Sequence, residues 1–197
     1  GILVQLPLPK PLDHREVFDH IDPLKDVDVF SPTNTGLLLQ GRPRFVPCTP
    51  AGIKELLMRS GVETAGKKVT IINRSDVVGK PLAALMLQDL PGSNATVTVC
   101  HDRTTPKDLR AACHHADIIV VAVGKPDFLH DDMVQPWHVV VDVGINRVGK
   151  KIVGDCSPSV AEKVRWISPV PGGVGPMTVT MLLRNTLEAQ RLQLTLA

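Results

Sequence analysis

The sequence predicts an α/β protein organised around a doubly wound parallel sheet. Beyond residue 66, short β-branched runs alternate with helical patterns, as strands joined by crossover helices do. The longest apolar run, residues 118–123, has strand length and reads as a buried strand. At 197 residues and 43% apolar content the chain can bury one substantial core, or one core plus part of another. Sheets of this kind bind ligands at the carboxyl ends of their strands, so function is expected in the segments that follow them.

The chain opens on Gly1-Ile2-Leu3-Val4-Gln5-Leu6, a strand-like run with no initiator methionine before it. A central strand without a partner would leave backbone groups and apolar side chains exposed, so a preceding segment is expected. A short helix is expected over residues 13–21, with Asp13 as N-cap and Glu16 completing a capping-box pattern. Residues 23–47 are rich in Pro, Asp, Asn and Gly and read as loop around an apolar turn at 37–39. Thr49 then caps a helix with Pro50 at its first position, Ile53, Leu56 and Leu57 on one face, and Gly61 closing it. Strands are expected at 68–72, 95–100, 117–123, 139–143 and 166–168, helices near 80–88 and 106–114, and a final helix over 176–192.

Composition excludes several function classes. No apolar run approaches the roughly 20 residues of a membrane span. A net charge of +2 with 3% aromatic residues offers neither a basic stripe nor stacking platforms for nucleic acid. Cys48, Cys100, Cys113 and Cys156 are widely spaced without Cys-x-x-Cys, which argues against zinc and for a reducing compartment. His114 and His115 are neighbours on a helix and do not face one another, so they read as a solvated helix end and not a metal pair.

Two loops carry the chemistry. After the strand at 68–72 comes Asn73-Arg74-Ser75-Asp76-Val77-Val78-Gly79, leading into a helix. This is not Gly-x-Gly-x-x-Gly, and on residues alone a dinucleotide loop and an ordinary strand-to-helix turn weigh equally. The second strand ends in His101-Asp102-Arg103. An acid there suits ribose hydroxyls and repels a 2′-phosphate, whereas Arg74 would accept that phosphate; NADP is favoured over NAD, which remains possible. The second loop, Pro169-Val170-Pro171-Gly172-Gly173-Val174-Gly175-Pro176-Met177-Thr178, places two prolines and a glycine pair just before a helix. Glycine lets a backbone approach a flat ligand, and Gly173 is the position expected to do so. Gln5 reads either as a solvent-facing amide or as a buried group in need of partners, and Asp28 as a loop-capping acid unless it meets a ligand.

The proline-glycine string, together with Val4-Gln5-Leu6-Pro7-Leu8, Lys25-Asp26-Val27-Asp28, Pro47-Cys48-Thr49-Pro50 and Val141-Asp142-Val143-Gly144-Ile145-Asn146-Arg147, resembles the bifunctional methylenetetrahydrofolate dehydrogenase/cyclohydrolase family. The matches run from end to end. The resemblance implies a Rossmann-type cofactor domain over 51–165, the remainder of a folate and catalytic domain over 1–50, and a segment over 166–197 whose helix returns to that first domain. It implies oxidation of methylenetetrahydrofolate with NADP to the methenyl compound, hydrolysis to formyltetrahydrofolate, and a homodimer in cytoplasm or mitochondrion. Asn73, Arg74, Ser75, Val78, Gly79, His101, Asp102, Gly124 and Ile145 would hold the cofactor. Val4, Gln5, Leu6, Asp28, Pro171, Gly172, Gly173, Val174 and Gly175 would hold the folate, with Gln5 and Asp28 serving catalysis.

The chain departs from the family pattern in three places. Asn73 stands for a glycine, a substitution that a left-handed backbone tolerates. Asp102 stands where serine or arginine is usual, and Val29 replaces the glycine that follows the Asp-Val-Asp motif. The family's Tyr-x-x-x-Lys motif is absent from a chain with no tyrosine, and its lysine is expected upstream of Gly1. Without it, hydrolysis should be slow. Two alternatives stand beside this reading: a related dehydrogenase acting on another small molecule, and a non-catalytic or monofunctional binder of folate or nucleotide.

Overall fold

The computed structural model describes residues 1–196; Ala197, the last residue of the 166–197 segment, lies outside the described residues. Five parallel strands form the central sheet: β1 (Lys68–Ile72), β2 (Thr96–Cys100), β3 (Ile118–Val121), β4 (Val139–Asp142) and β7 (Trp166–Ile167). They lie in the order β2-β1-β3-β4-β7, so the chain steps outward from β1 to β2 and then crosses back to the other side of β1. The crevice between β1 and β3 is therefore the switch point of the sheet. A two-stranded hairpin, β5 (Asn146–Val148) and β6 (Lys151–Val153), hangs from the end of β4.

Both faces of the sheet are covered at its centre, which explains the unbroken apolar runs of β3 and β4; β2, at one edge, is largely exposed. Val69, Ile71, Ile118, Val120, Val139 and Val141 point to one side, where they meet Ile53 and Leu57 of α3 (Cys48–Arg59) and Leu82 and Met86 of α4 (Gly79–Met86). Ile72, Ile119, Val121 and Val140 point to the other, against Cys113 of α5 (Pro106–His114) and Val160 of α6 (Pro158–Lys163). Thr70 is the one polar residue of β1 turned inward. Its hydroxyl donates to the Ala112 carbonyl at 3.0 Å, which removes the cost of burying it.

The last helix, α7 (Val174–Leu196), starts two residues earlier and runs further than the sequence indicates. It packs along α3 so closely that a side chain at Gly52 would meet the Met177 and Thr178 backbone. Its Asn185 amide donates to the Val27 and Val46 carbonyls at 2.8 Å each, tying the helix to the segment before α3. Val27, Val29, Phe45 and Ala189 form a small core at that junction.

The N-terminal segments differ most from expectation. Residues 1–6 form no strand; Ile2 alone bridges to Asp26, and Ile2 and Leu3 are exposed. The first helix, α1 (His14–Asp19), is shorter than expected, and its cap is the Asp13 carboxylate accepting from the Arg15 N–H. Residues 23–47 are not all loop. They contain α2 (Pro32–Leu39), capped by the Ser31 hydroxyl, which accepts from Asn34, with Pro32 at its first position. Thr49 does not cap α3, which begins at Cys48 behind Pro47; its hydroxyl bonds instead to that of Thr178 at 3.2 Å.

Candidate active site

The cofactor-type loop sits at the switch point, and Asn73 organises it. Its side-chain oxygen accepts from the Ser75 N–H at 2.8 Å, the Ser75 hydroxyl at 2.7 Å and the Gly79 N–H at 2.9 Å. Its amide nitrogen reaches across the crevice to donate to the Ala122 carbonyl beyond β3. Asn73 is not among the residues with positive φ, so its value lies in its side chain and not in left-handed backbone, contrary to the sequence expectation. The tight turn this produces brings Gly79 against the Asn73 carbonyl, where a Cβ would collide.

Around this loop is a cavity of about 280 Å³ lined by Asn73, Arg74, Ser75, His101, Asp102 and Lys125, among others. Five of these neighbours, from two distant segments, are residues expected from the sequence. Arg74 and Asp102 form an ion pair at its mouth, both side chains largely in solvent. Desolvation opposes the charge of Asp102, but the Arg74 guanidinium, through its charge and hydrogen bond and with Arg103 adding to it, holds the carboxyl below its usual range. Val78 and Gly79 do not line the cavity; they form the start of the helix behind it. Gly124, at φ 66°, lies in the loop after β3 that closes the far side.

A second cavity, about 160 Å³, opens beyond β4 and β7 and is lined by Ile145 and by Pro171, Gly172, Gly173, Val174 and Gly175, among others. The structure therefore brings the proline-glycine loop to the residue expected beside the nicotinamide. Ile145 is 69% exposed, an apolar side chain presented to the cavity mouth. Gly173 has a different reason to be glycine than the one expected. A Cβ there would strike the Pro169 carbonyl of the same loop, so the position is filled by protein backbone. Gly172, at φ 103°, and Gly175 are the two whose Cβ would find room, the latter touching only the Ile145 side chain at 4.0 Å.

Two buried carboxylates that the sequence did not single out hold these loops in place. Asp155 accepts from the Val123, Gly124 and Lys125 N–H groups at 2.6, 3.0 and 3.0 Å and from the Asn146 amide at 2.8 Å. Asp142 accepts from Gly144, Asp155 and Cys156 N–H groups at 3.0, 2.9 and 2.9 Å. An acid ending the apolar strand β4 was a readable signal for Asp142. Asp155 acts on a loop some 30 residues away, which no local pattern announces.

Of the N-terminal candidates, Asp28 is half-buried beside Cys48, whose thiol donates to the Val27 carbonyl at 3.4 Å. Burial pushes its carboxyl above the ordinary range, and burial together with Asp28 pushes the thiol up as well. Its neighbour Val29 is held at φ 64°, the backbone a glycine would take, so the turn survives the substitution at the expense of strain. Asp26, not Asp28, is the loop-capping acid: it accepts from the Phe30 and Ser31 N–H groups at 2.9 Å each. Gln5 is exposed, and its amide donates to the adjacent Leu6 carbonyl at 3.2 Å. The buried amide anticipated as one possibility is not what forms. Val4, Gln5 and Leu6 do not line the cavity beside the proline-glycine loop.

Larger hollows lie elsewhere. One of about 660 Å³ is walled by Phe18, Phe30, Leu38 and other residues in and around α1, α2 and α4, with His14, Arg15, Asp19, Asp76 and Lys80 among them. Among the described residues no cluster of His, Cys, Asp or Glu could hold a metal, and no helix is long and apolar enough to cross a membrane.

Residues 47–194 match the family model for the NAD(P)-binding domain of tetrahydrofolate dehydrogenase/cyclohydrolase. The bifunctional protein FolD of Rhodopirellula baltica is 55% identical over 205 aligned positions, covering 98% of this chain and 68% of the relative. Among solved structures, the bifunctional methylenetetrahydrofolate dehydrogenase/cyclohydrolase of Thermoplasma acidophilum superposes with a TM-score of 0.91 at 44% identity, over 99% of this chain and 69% of that one. The Trypanosoma brucei enzyme, solved with NADP and an inhibitor, gives 0.90 at 39% identity, over 98% and 67%. The chain thus spans about two thirds of the length of these relatives. By sequence, by fold and by the two loops at the end of its sheet, the chain belongs to the tetrahydrofolate dehydrogenase/cyclohydrolase family.

Proposed function

We propose that the protein oxidises methylenetetrahydrofolate to methenyltetrahydrofolate with NADP, and that the product is hydrolysed to formyltetrahydrofolate as the names of its bifunctional relatives indicate. One observation carries this reading. The cofactor-type loop after β1 and the proline-glycine loop after β7 open along the same end of one sheet, with Ile145 at the end of the intervening strand β4.

NADP, when bound, supplies the acceptor for a hydride from the bridging methylene carbon. That step depends chiefly on positioning, and the chain's own residues provide it. Arg74 offers a guanidinium to the 2′-phosphate, while Asn73 locks the loop that carries it. Asp155 fixes the backbone around Gly124, so the wall opposite Arg74 is equally rigid. Ile145 gives the nicotinamide an apolar face, and Pro171, Gly172, Gly173, Val174 and Gly175 give the folate a shallow wall free of bulky side chains. Asp28 reaches this region indirectly: it lies beside Cys48, whose neighbour Thr49 bonds Thr178 in the first turns of α7. The resemblance gives Asp28 the pterin ring, and Val4, Gln5 and Leu6 enter on the motif match alone.

Hydrolysis of the methenyl cation needs a proton-transfer group. Asp142 is the one titratable residue lining the cavity beside the proline-glycine loop, and backbone N–H groups already occupy it. The cyclohydrolase half of the proposal therefore rests on family membership, and the dehydrogenase half on geometry as well. The division at 1–50, 51–165 and 166–197, a homodimer, and a cytoplasmic or mitochondrial location belong to the same proposal; four free thiols support a reducing compartment. The bifunctional relatives do not favour a non-catalytic binder.

The test is transfer of the label itself. Methylenetetrahydrofolate with deuterium on the bridging carbon, incubated with the protein and NADP, should yield deuterated NADPH and the methenyl chromophore together. A folded protein that binds NADP yet forms neither product contradicts the proposal.

A further inference from the structure

Asp102 lines the cofactor cavity, and the hydride step proposed above gives it no role. It lies at the end of β2, where dinucleotide folds place the residue that reads the adenosine ribose. Its carboxylate pairs with Arg74, the one guanidinium lining the cavity, and lies 3.6 Å from the Arg103 guanidinium on the outer side. Both members of the Arg74–Asp102 pair are exposed, with 49% and 64% of their side chains accessible, so the pair can exchange partners without opening the fold.

We propose that Asp102 is a specificity-determining residue that narrows the preference for NADP over NAD, by occupying Arg74 in the free protein and by accepting the ribose hydroxyls of NAD. The proposal rests on the dinucleotide reading of this cavity. Chemistry favours a carboxylate and a guanidinium in exchange over either alone. A ribose with free hydroxyls can donate to Asp102 while Arg74 stays paired, so NAD binds with the ion pair intact. A 2′-phosphate has no proton to offer that carboxylate at neutral pH, so it must take Arg74 away from it and then lie beside a like charge. Arg103, already facing Asp102, keeps the released carboxylate paired. Discrimination is therefore weakened from both sides: NADP loses part of the attraction of Arg74, and NAD gains an acceptor.

Adenosine fragments test this without folate and without turnover. Affinities of 2′,5′-ADP and 5′-AMP, with NADP and NAD in parallel, are measured by calorimetry for wild type, Asp102→Ser, Asp102→Asn and Arg74→Ala. Asp102→Ser should raise the ratio of 2′,5′-ADP to 5′-AMP affinity about tenfold, the worth of one hydrogen bond to a charged group. Asp102→Asn, which keeps a ribose acceptor but drops the charge, should tighten 2′,5′-ADP and leave 5′-AMP within about twofold of wild type. Arg74→Ala should bring the two fragments to near-equal affinity. Ratios unchanged within twofold in both Asp102 variants, while wild type binds NADP, would overturn the role of Asp102 and spare the function. Failure of wild type to bind either dinucleotide would overturn both.

Discussion

Asn73 shows how a single residue can be read correctly for place and wrongly for cause. It occupies the position of a family glycine, where tolerance of left-handed backbone is the expected reason. The structure instead gives it three hydrogen bonds through one oxygen and a fourth across the crevice through its nitrogen. Gly173 is the converse, a glycine demanded by Pro169 of its own loop and not by a ligand. The position that probes the ligand is Gly175, where a side chain would meet only Ile145. Gly175→Val should leave the urea midpoint close to wild type, and NADP affinity nearly so, while weakening a folate analogue at least about tenfold by filling the cavity. Equal binding of the analogue by this variant would remove the proline-glycine loop from the substrate site.

At the scale of elements, legibility followed burial. Each of the five parallel strands lies within two residues of its expected bounds. β1, β3 and β4 do so because a strand covered on both faces must be a β-branched run bounded by polar residues, and the largely exposed β2 by its alternation of Thr and Val. α2, α6 and the β5-β6 hairpin escaped, although α2 and α6 both carry Ser followed by Pro, a readable start signal. Asn, Gly and Thr inside α2 masked it, and its stability comes from what it packs on. The Asp26 carboxylate accepts from Ser31 at its cap and from Asn34 within it. The opening run failed for the opposite reason: it is apolar, but its only bridge is Ile2 to Asp26.

The turn between Asp28 and α2 gives a test at this scale. Left-handed backbone costs a residue with a Cβ about 1–2 kcal/mol, and burial of a valine side chain returns about 1.5–3 kcal/mol. Val29, 4% exposed at φ 64°, is tolerated because the second outweighs the first. Val29→Ala keeps the strain and loses two buried methyls, whereas Val29→Gly loses slightly more surface but is freed of strain. The glycine variant should therefore unfold at a higher urea concentration than the alanine variant, by about 1 kcal/mol. The reverse order, normal for ordinary backbone, would show that Val29 is not strained.

Across the whole molecule the two ends of the sheet have different tasks. The carboxyl ends carry the loops, the exposed Ile145 and the Arg74–Asp102 pair; at the amino end of β4 the chain is buried, with His138 fully so. Its Nδ1 accepts from the Gln135 N–H at 3.0 Å, so the proton sits on Nε2, which has no partner among the described residues. Burial, with His114 nearby, holds its pKa below the ordinary 6.5. The unfolded chain therefore takes up this proton first, and stability present above pH 6.5 is lost as pH falls toward the depressed folded value. His138→Phe should flatten the dependence of the urea midpoint on pH between about 7 and 5 relative to wild type. An unchanged slope would place the acid sensitivity elsewhere.

The proposed function requires one dinucleotide and one folate to meet at the carboxyl end of this sheet. A crystal structure of the protein with NADP and a folate analogue tests it most directly. The adenosine end should lie in the cavity of Asn73, Arg74 and Asp102, with the 2′-phosphate on Arg74 and the nicotinamide against Ile145, facing Pro171, Gly172, Gly173, Val174 and Gly175. A dinucleotide seated instead in the hollow of Phe18, Phe30 and Leu38, or a folate analogue without contact to the proline-glycine loop, would contradict it.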